Sequence, residues 1–220
     1  MIDQFTWIEI KASEEGISKS GTSSARFGHS VMDDRDTECG VAAGWDWDGH
    51  ALVVESDLHG YIPLYFSHSS DRIIVSDSPL PILARQDHPE TDPVSLGFFC
   101  RAGFLIGDRT LFRGIERVPG RTRMKWTSGS LEIHTEPHAS ASGPTSVKEA
   151  VDGWIDRFQV AVSRRLPSQE SFDIPLSGGR DSRMILLELE RHGRLPGRAL
   201  ALGSPNSDQT SDIALASQLA

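Results

Sequence analysis

The chain has 220 residues, 38% hydrophobic and 24% charged, which suits one large globular domain or two small ones. No run of about 18 apolar residues could span a membrane, and the start, "MIDQFTWIEIKASEEG", lacks the basic-then-apolar pattern of a signal peptide. A formal charge of −9, from 31 acidic and 22 basic side chains, excludes a long-range positive field for nucleic acid.

Two cysteines, Cys39 and Cys100, are too few for a disulfide framework and lack metal spacing. The expected location is a reducing cytoplasm, with no membrane and no nucleic acid among the partners. In chain order the first segments are short and β-like: "ALVVES", "IPLYFSH", "RIIVSD", "RTRMKW" and "LEIHTE". Asp48-Gly49, Pro119-Gly120 and Ser128-Gly129 supply turn chemistry between them. "WDWDG", residues 45 to 49, reads as a hairpin turn with packed tryptophan. A short helix is expected from Val94 in "VSLGFFCRAG".

"TEPHASASGPTS", residues 135 to 146, is rich in Ser, Gly and Pro and reads as a boundary. It divides the chain into residues 1–134, a linker at 135–145, and residues 146–220. Beyond it the period becomes helical. Ser146 with Glu149 fits a capping box. Val147, Val151, Trp154, Ile155, Phe158 and Val162 then recur at helical spacing as far as Pro167. "SRRLP" at 163 to 167 reads as cations at that helix's C-terminus. Next come a strand at Phe172 to Leu176, a helix from about Asp181 to His192 stopped by Gly193, a strand in "GRALALGS", and a helix from Ser207 to Ala220. Met184, Ile185, Leu187 and Leu189 are expected in the core. Strand, helix, strand, helix predicts a parallel sheet with covering helices. With only two strands this second domain reads as the front part of something longer.

The chemistry concentrates in "LSGGRDS", residues 176 to 182. Glycines at a strand-to-helix turn let backbone amides approach a ligand. The first-turn amides of the next helix have no intrahelical acceptor and favour an anion. Ser177 and Ser182 add hydroxyls, and Asp181 makes sense beside phosphate if Mg²⁺ lies between them. The kinase-type loop and the dinucleotide fingerprint are both excluded, since no Lys follows these glycines and no G-x-G-x-x-G occurs. The competing reading is an ordinary turn with a helix-start charge. His134 and His138 are a helical turn apart, but Pro137 between them and a strand end argue against a metal site. Asp208 and Asp212 could approach a nucleotide or simply cap a helix.

"LSGGRDS" resembles the S-G-G-x-D-S pyrophosphate loop of ATP pyrophosphatases. Three further stretches are similar, in the same order, to asparagine synthetases: "SDLHGYIPLYF" (56–66), "GDRTLFRGIERVPGRTRMKW" (107–126) and "ALGSPNSDQTSDIALASQLA" (201–220). "IIVSDSPLPILA" resembles the strand after the first of these. The resemblance implies a shortened amidotransferase-like α+β domain, a β-rich sandwich, followed by the start of an α/β parallel-sheet adenine-nucleotide-binding domain. It also implies an ATP-dependent, Mg²⁺-using ligase that activates a carboxylate, of an amino acid or peptide, as acyl-AMP and forms an amide. Ser177, Gly178, Gly179 and Ser182 would hold pyrophosphate, Asp181 the metal, and Leu176, Leu202 and Gly203 would contact ATP. Position 2 is Ile where glutamine-using members carry their nucleophilic Cys. That departure matches branches that take the amine from the substrate, such as β-lactam synthetases and lasso-peptide cyclases. The family's later catalytic residues fall beyond Ala220, so a missing C-terminal part or a separate chain is expected to complete the site. Two alternatives remain open: a non-catalytic nucleotide-binding fragment or interaction module, and a tRNA-modifying ATP pyrophosphatase.

Overall fold

The computed structural model describes residues 4–32, 38–137, 143–144, 146–201 and 216. Packing divides the chain into Met1–Ala139 and Ser140–Ala220.

The first unit is built from two five-stranded antiparallel sheets. One contains β1 (Trp7–Ser13), β2 (Gly16–Gly21), β6 (Tyr65–His68), β7 (Arg72–Ser76) and the short β8 (Glu116–Arg117), in the order β2-β1-β7-β6-β8. The other contains β3 (Ser24–Met32), β4 (Glu38–Trp47), β5 (Leu52–Glu55), β9 (Thr122–Thr127) and β10 (Ser130–Thr135), in the order β10-β9-β5-β4-β3. Alternation decides which side chains meet. Ile8, Ile10, Phe66, Ile73 and Val75 of one sheet pack with Trp45, Leu52, Val54, Met124 and Trp126 of the other in a single buried cluster. This is a β-rich sandwich, compatible with the one the resemblance implies.

Two short helices belong to this unit. α1 (Pro79–Leu83) lies against the outer side of the first sheet, where Ile82 packs with Ile74 and Ile115. Arg85, just past α1, sits 3.4 Å over the Trp7 ring, and Arg72 pairs with the nearly buried Glu9. α2 (Pro93–Ala102) is capped by the Asp92 side chain and closed by Gly103 in the left-handed region, matching the helix expected from Val94. The expected turns are also present. Ser128 (φ 46) and Gly129 (φ 87) have the paired positive φ values of a tight hairpin. β1 to β4 and α1 were not among the expected elements, although Ile8 and Ile10 of β1 alternate with Glu9 and Lys11.

Asp57 organises the loop after β5. It is 6% exposed, and its carboxylate accepts the amides of His59, Tyr61 and Ile62 at 2.9 to 3.0 Å. Its carbonyl accepts Gly60 and Arg121. Gly120 is required where this loop crosses the next, because a β-carbon there would meet Gly60 N at 2.9 Å.

The second unit, among its described residues, comprises α3 (Val147–Ser163), β11 (Asp173–Pro175), α4 (Arg180–Arg191) and β12 (Arg198–Leu200). Ser146 caps α3 through the Glu149 amide, 3.1 Å. Arg165 donates to the Ala161 carbonyl at the other end, as "SRRLP" predicted. β11 and β12 run parallel. Leu189 is buried, but Ile185 and Leu187, expected in the core, are 40% and 59% exposed, and Met184 is half-buried. Two adjacent strands are too narrow to cover both flanks of α4, and no other described element lies over Leu187. The helix expected from Ser207 lies outside the described residues except Ala216, which is helical and buried. None of the helices is long and apolar enough to cross a membrane, among the described residues.

Burial alone would raise the Asp57 pKa, but the amides of Ile62, Tyr61, His59 and Gly60 outweigh it and hold the group below its ordinary value. A depressed folded-state value contributes stability that is present above the unfolded value and lost as pH falls through the folded one. Chemical denaturation should therefore show the first unit weakening below about pH 4. Asp57→Asn should lower its stability by about 2 to 3 kcal/mol at neutral pH and flatten that dependence.

Candidate functional site

The site begins with β11, where Ile174 is buried, and with Leu176 just past its end, also buried, whose amide donates to the Leu200 carbonyl at 2.9 Å. The opposite end of the strand pair is fixed by Arg198, which bonds both carboxylate oxygens of Asp173. Those bonds hold Asp173 below and Arg198 above their ordinary values. The chain leaves β11 at its C-terminal end and enters α4 through Ser177, Gly178 and Gly179.

Two hydroxyls shape this turn. The Ser177 amide donates to Ser182 Oγ at 3.1 Å, and Ser182 Oγ in turn donates to the Ser177 carbonyl at 3.2 Å. The two Oγ atoms are 3.1 Å apart, and the Gly179 amide donates to Ser177 Oγ at 3.2 Å. The loop is thereby drawn back over the first turn of α4. Gly178 is buried within it.

Gly179 is the N-cap of α4, with φ −68 and ψ 161, and it offers no side-chain acceptor. Ser, Thr, Asp or Asn at this position would satisfy a first-turn amide. Here the amides of Arg180, Asp181 and Ser182 face outward without one, at the positive end of the helix dipole. The backbone does not demand glycine, since any L residue adopts these angles. A β-carbon would meet only Ser177 Oγ, at 3.1 Å. Glycine here spares Ser177 Oγ a contact tighter than van der Waals and leaves the first-turn amides uncovered.

Asp181 is exposed and makes no hydrogen bond or ion pair among the described residues. No described group of three His, Cys, Asp or Glu side chains could hold a metal ion by itself. One carboxylate matches the Mg²⁺ pattern in which phosphate oxygens and water complete the shell, so Asp181 fits Mg²⁺ as part of a nucleotide complex. The structure brings together Leu176, Ser177, Gly178, Gly179, Asp181 and Ser182. Leu202, Gly203, Asp208, Asp212, Ile2 and His138 lie outside the described residues.

A cleft of about 790 Å³ adjoins the turn, lined by Leu176, Arg180, Arg183, Met184, Leu187 and Leu195 among others. Arg183 is anchored by its Nε on the Gly179 carbonyl at 3.1 Å. Sequence reasoning placed Met184 and Leu187 in the core. The signal for a cleft was available in the spacing, because Arg180, Arg183, Met184 and Leu187 share one helix face with both charged and apolar ends.

The sequence matches no family model and no curated protein. Among solved structures it is similar to one described as the structure of the allosteric regulatory enzyme of purine biosynthesis. The identity is 12% and the TM-score 0.30, over 82% of this chain and 37% of that one. A similarity of that depth carries no functional assignment.

Ser182→Ala removes the acceptor of the Ser177 amide and the donor to its carbonyl. Hydrogen exchange at the Ser177 amide should quicken roughly five- to tenfold, while amides in the middle of α4 keep their protection.

Proposed function

We propose that the second unit binds ATP through residues 176–182 and that the protein is an ATP-dependent, amide-forming ligase of the asparagine synthetase type. The observation that carries this reading is the Gly179 N-cap, which leaves three first-turn amides open beside two serine hydroxyls. The ordered sequence resemblance supplies the reaction class. In that reaction a substrate carboxylate oxygen attacks the α-phosphorus, the α–β bond breaks, and acyl-AMP and pyrophosphate form. An amine then attacks the acyl carbon, loses its proton and expels AMP.

The chain's own residues would hold and orient the departing pyrophosphate. The amides of Arg180, Asp181 and Ser182 would donate to its oxygens, with the Ser177 and Ser182 hydroxyls turning from each other to join them. Asp181 would hold Mg²⁺, which supplies neutralisation of phosphate charge. Leu176 would pack beside the nucleoside. Fixed donors of this kind accelerate a reaction by positioning and by stabilising developing charge.

Calorimetric titration of ATP with Mg²⁺ tests the reading. Saturable binding is expected for the wild type. Gly179→Ala keeps an allowed backbone, so it should fold normally and yet bind about tenfold or more weakly, because its methyl crowds Ser177 Oγ beside the amides. Asp181→Ala should lose the Mg²⁺-dependent part of the affinity. Wild-type affinity in both variants would sink the proposal. Pyrophosphate release on adding carboxylate substrates would then separate a ligase from a protein that only binds nucleotide.

A further inference from the structure

We propose that the first unit binds an extended peptide by strand addition at β4, with a carboxylate of that peptide received by Arg121. This inference is independent of the phosphate reading of residues 177–182.

Its basis is a mismatch in strand length. β4 pairs with β3 along nine of its ten residues, from Glu38 to Asp46. On its other side β5 has only four residues, and its last pair is Glu55 with Gly44. The direction of the remaining groups follows from the hairpin. The Asp48 amide donates to the Ala51 carbonyl, whereas the Trp47 amide donates to Ser23 on the β3 side. Backbone groups alternate between neighbours in an antiparallel strand. Asp46 and Gly44 therefore face β5, and Ala42 and Gly40 face the same way beyond its end. No described strand meets them there. An unpaired stretch of this kind is what strand addition uses.

Ala42 and Gly44 line a cleft of about 500 Å³ that spreads across the face of this sheet, from Arg26 of β3 to His134 of β10, and that Ser56, Leu58, Arg121 and Glu136 also line. Arg121 is the unusual member. Its φ of 57 places it in the left-handed region, which a non-glycine residue adopts at a cost. The Asp57 carbonyl holds its amide at 2.9 Å, so the backbone is pinned there. One Nη of its guanidinium reaches the Pro137 carbonyl at 3.4 Å, and Nε is buried with no hydrogen-bond partner. A buried, unmet guanidinium N–H calls for an acceptor, and a carboxylate can take Nε and Nη together. The neighbouring charges set the limit on what fits. Arg123 is already paired with Glu55, and the cleft's Arg26, Arg121 and Arg123 are matched by Asp46, Glu55 and Glu136, with His134 beside them. A polyanion finds no surplus of positive charge there to offset its own. A peptide with a main chain to pair and one carboxylate to place is accommodated.

The test uses the 220-residue protein, ¹⁵N-labelled, and three acetylated hexapeptides of one alternating Val/Thr sequence. The first has a free C-terminal carboxylate, the second is an amide ending in Asp, and the third an amide ending in Asn. Binding is read from chemical shifts and hydrogen exchange at residues 40–44. At least one carboxylate probe should protect the Ala42 amide and bind about tenfold or more tightly than the Asn amide. Comparing the first two tells a chain terminus from an acidic side chain. Arg121→Gly keeps the left-handed backbone without strain, so it should fold and bind all three probes equally weakly. Ala42→Pro removes the edge donor while sparing the bonds to β3, and should abolish binding. Equal affinity for the three probes overturns the proposal, as does unchanged affinity in Arg121→Gly. Absence of protection with every probe up to millimolar concentration overturns it too. Protection that grows with protein concentration alone would assign the edge to a second copy instead.

Discussion

The Asp57 carboxylate is the point on which one end of the sandwich depends. A single buried charge collects three amides from the following turn, and the same residue's carbonyl collects two more. Without it, the loop after β5 would leave several part-buried donors unmet at once, a larger penalty than the loss of one surface contact. The arrangement also fixes distant parts. It pins the amide of Arg121 from a loop more than 60 residues away, and so sets where that guanidinium stands. Fold and cleft share this one support.

The turn before α4 works on the opposite principle. Around Asp57 every donor is met. At Gly179 the cap is withheld, and three amides remain open at the positive end of a twelve-residue helix. Most buried backbone groups are met within the fold, and open first-turn amides are what an anion could use. Ser177 and Ser182 stand between these cases, since their hydroxyls satisfy one another.

Much of this was legible in the sequence, but unevenly. α3, β11, α4 and β12 announced themselves by period and by caps such as Ser146, and the residues 176–182 turn was visible as a glycine pair between strand and helix. β2 and β4 were not, because "GISKSG" and "ECGVAAG" consist mostly of small residues and carry little hydrophobic contrast, whereas β1 did alternate, Ile8 and Ile10 against Glu9 and Lys11, without being among the expected elements. Ile185 and Leu187 misled because helical apolar spacing shows which side seeks cover, not whether a neighbouring element supplies it. Arg121 could not have been singled out at all. Its left-handed backbone comes from the crossing of two loops, at Gly120 and Gly60, and long-range crossings leave no local pattern.

The unequal lengths of β4 and β5 have a mechanical consequence. Where β3, β4, β5 and β9 lie side by side, each strand restrains the coiling of the next. Past Gly44 only the β3–β4 ribbon continues, and a two-stranded ribbon twists more steeply than a broad sheet. The free end is therefore expected to rotate out of the plane of its parent sheet, turning the face that carries Ala42 progressively along its length. A strand joining there would have to follow that helicoidal path, which favours short and supple segments over long and rigid ones.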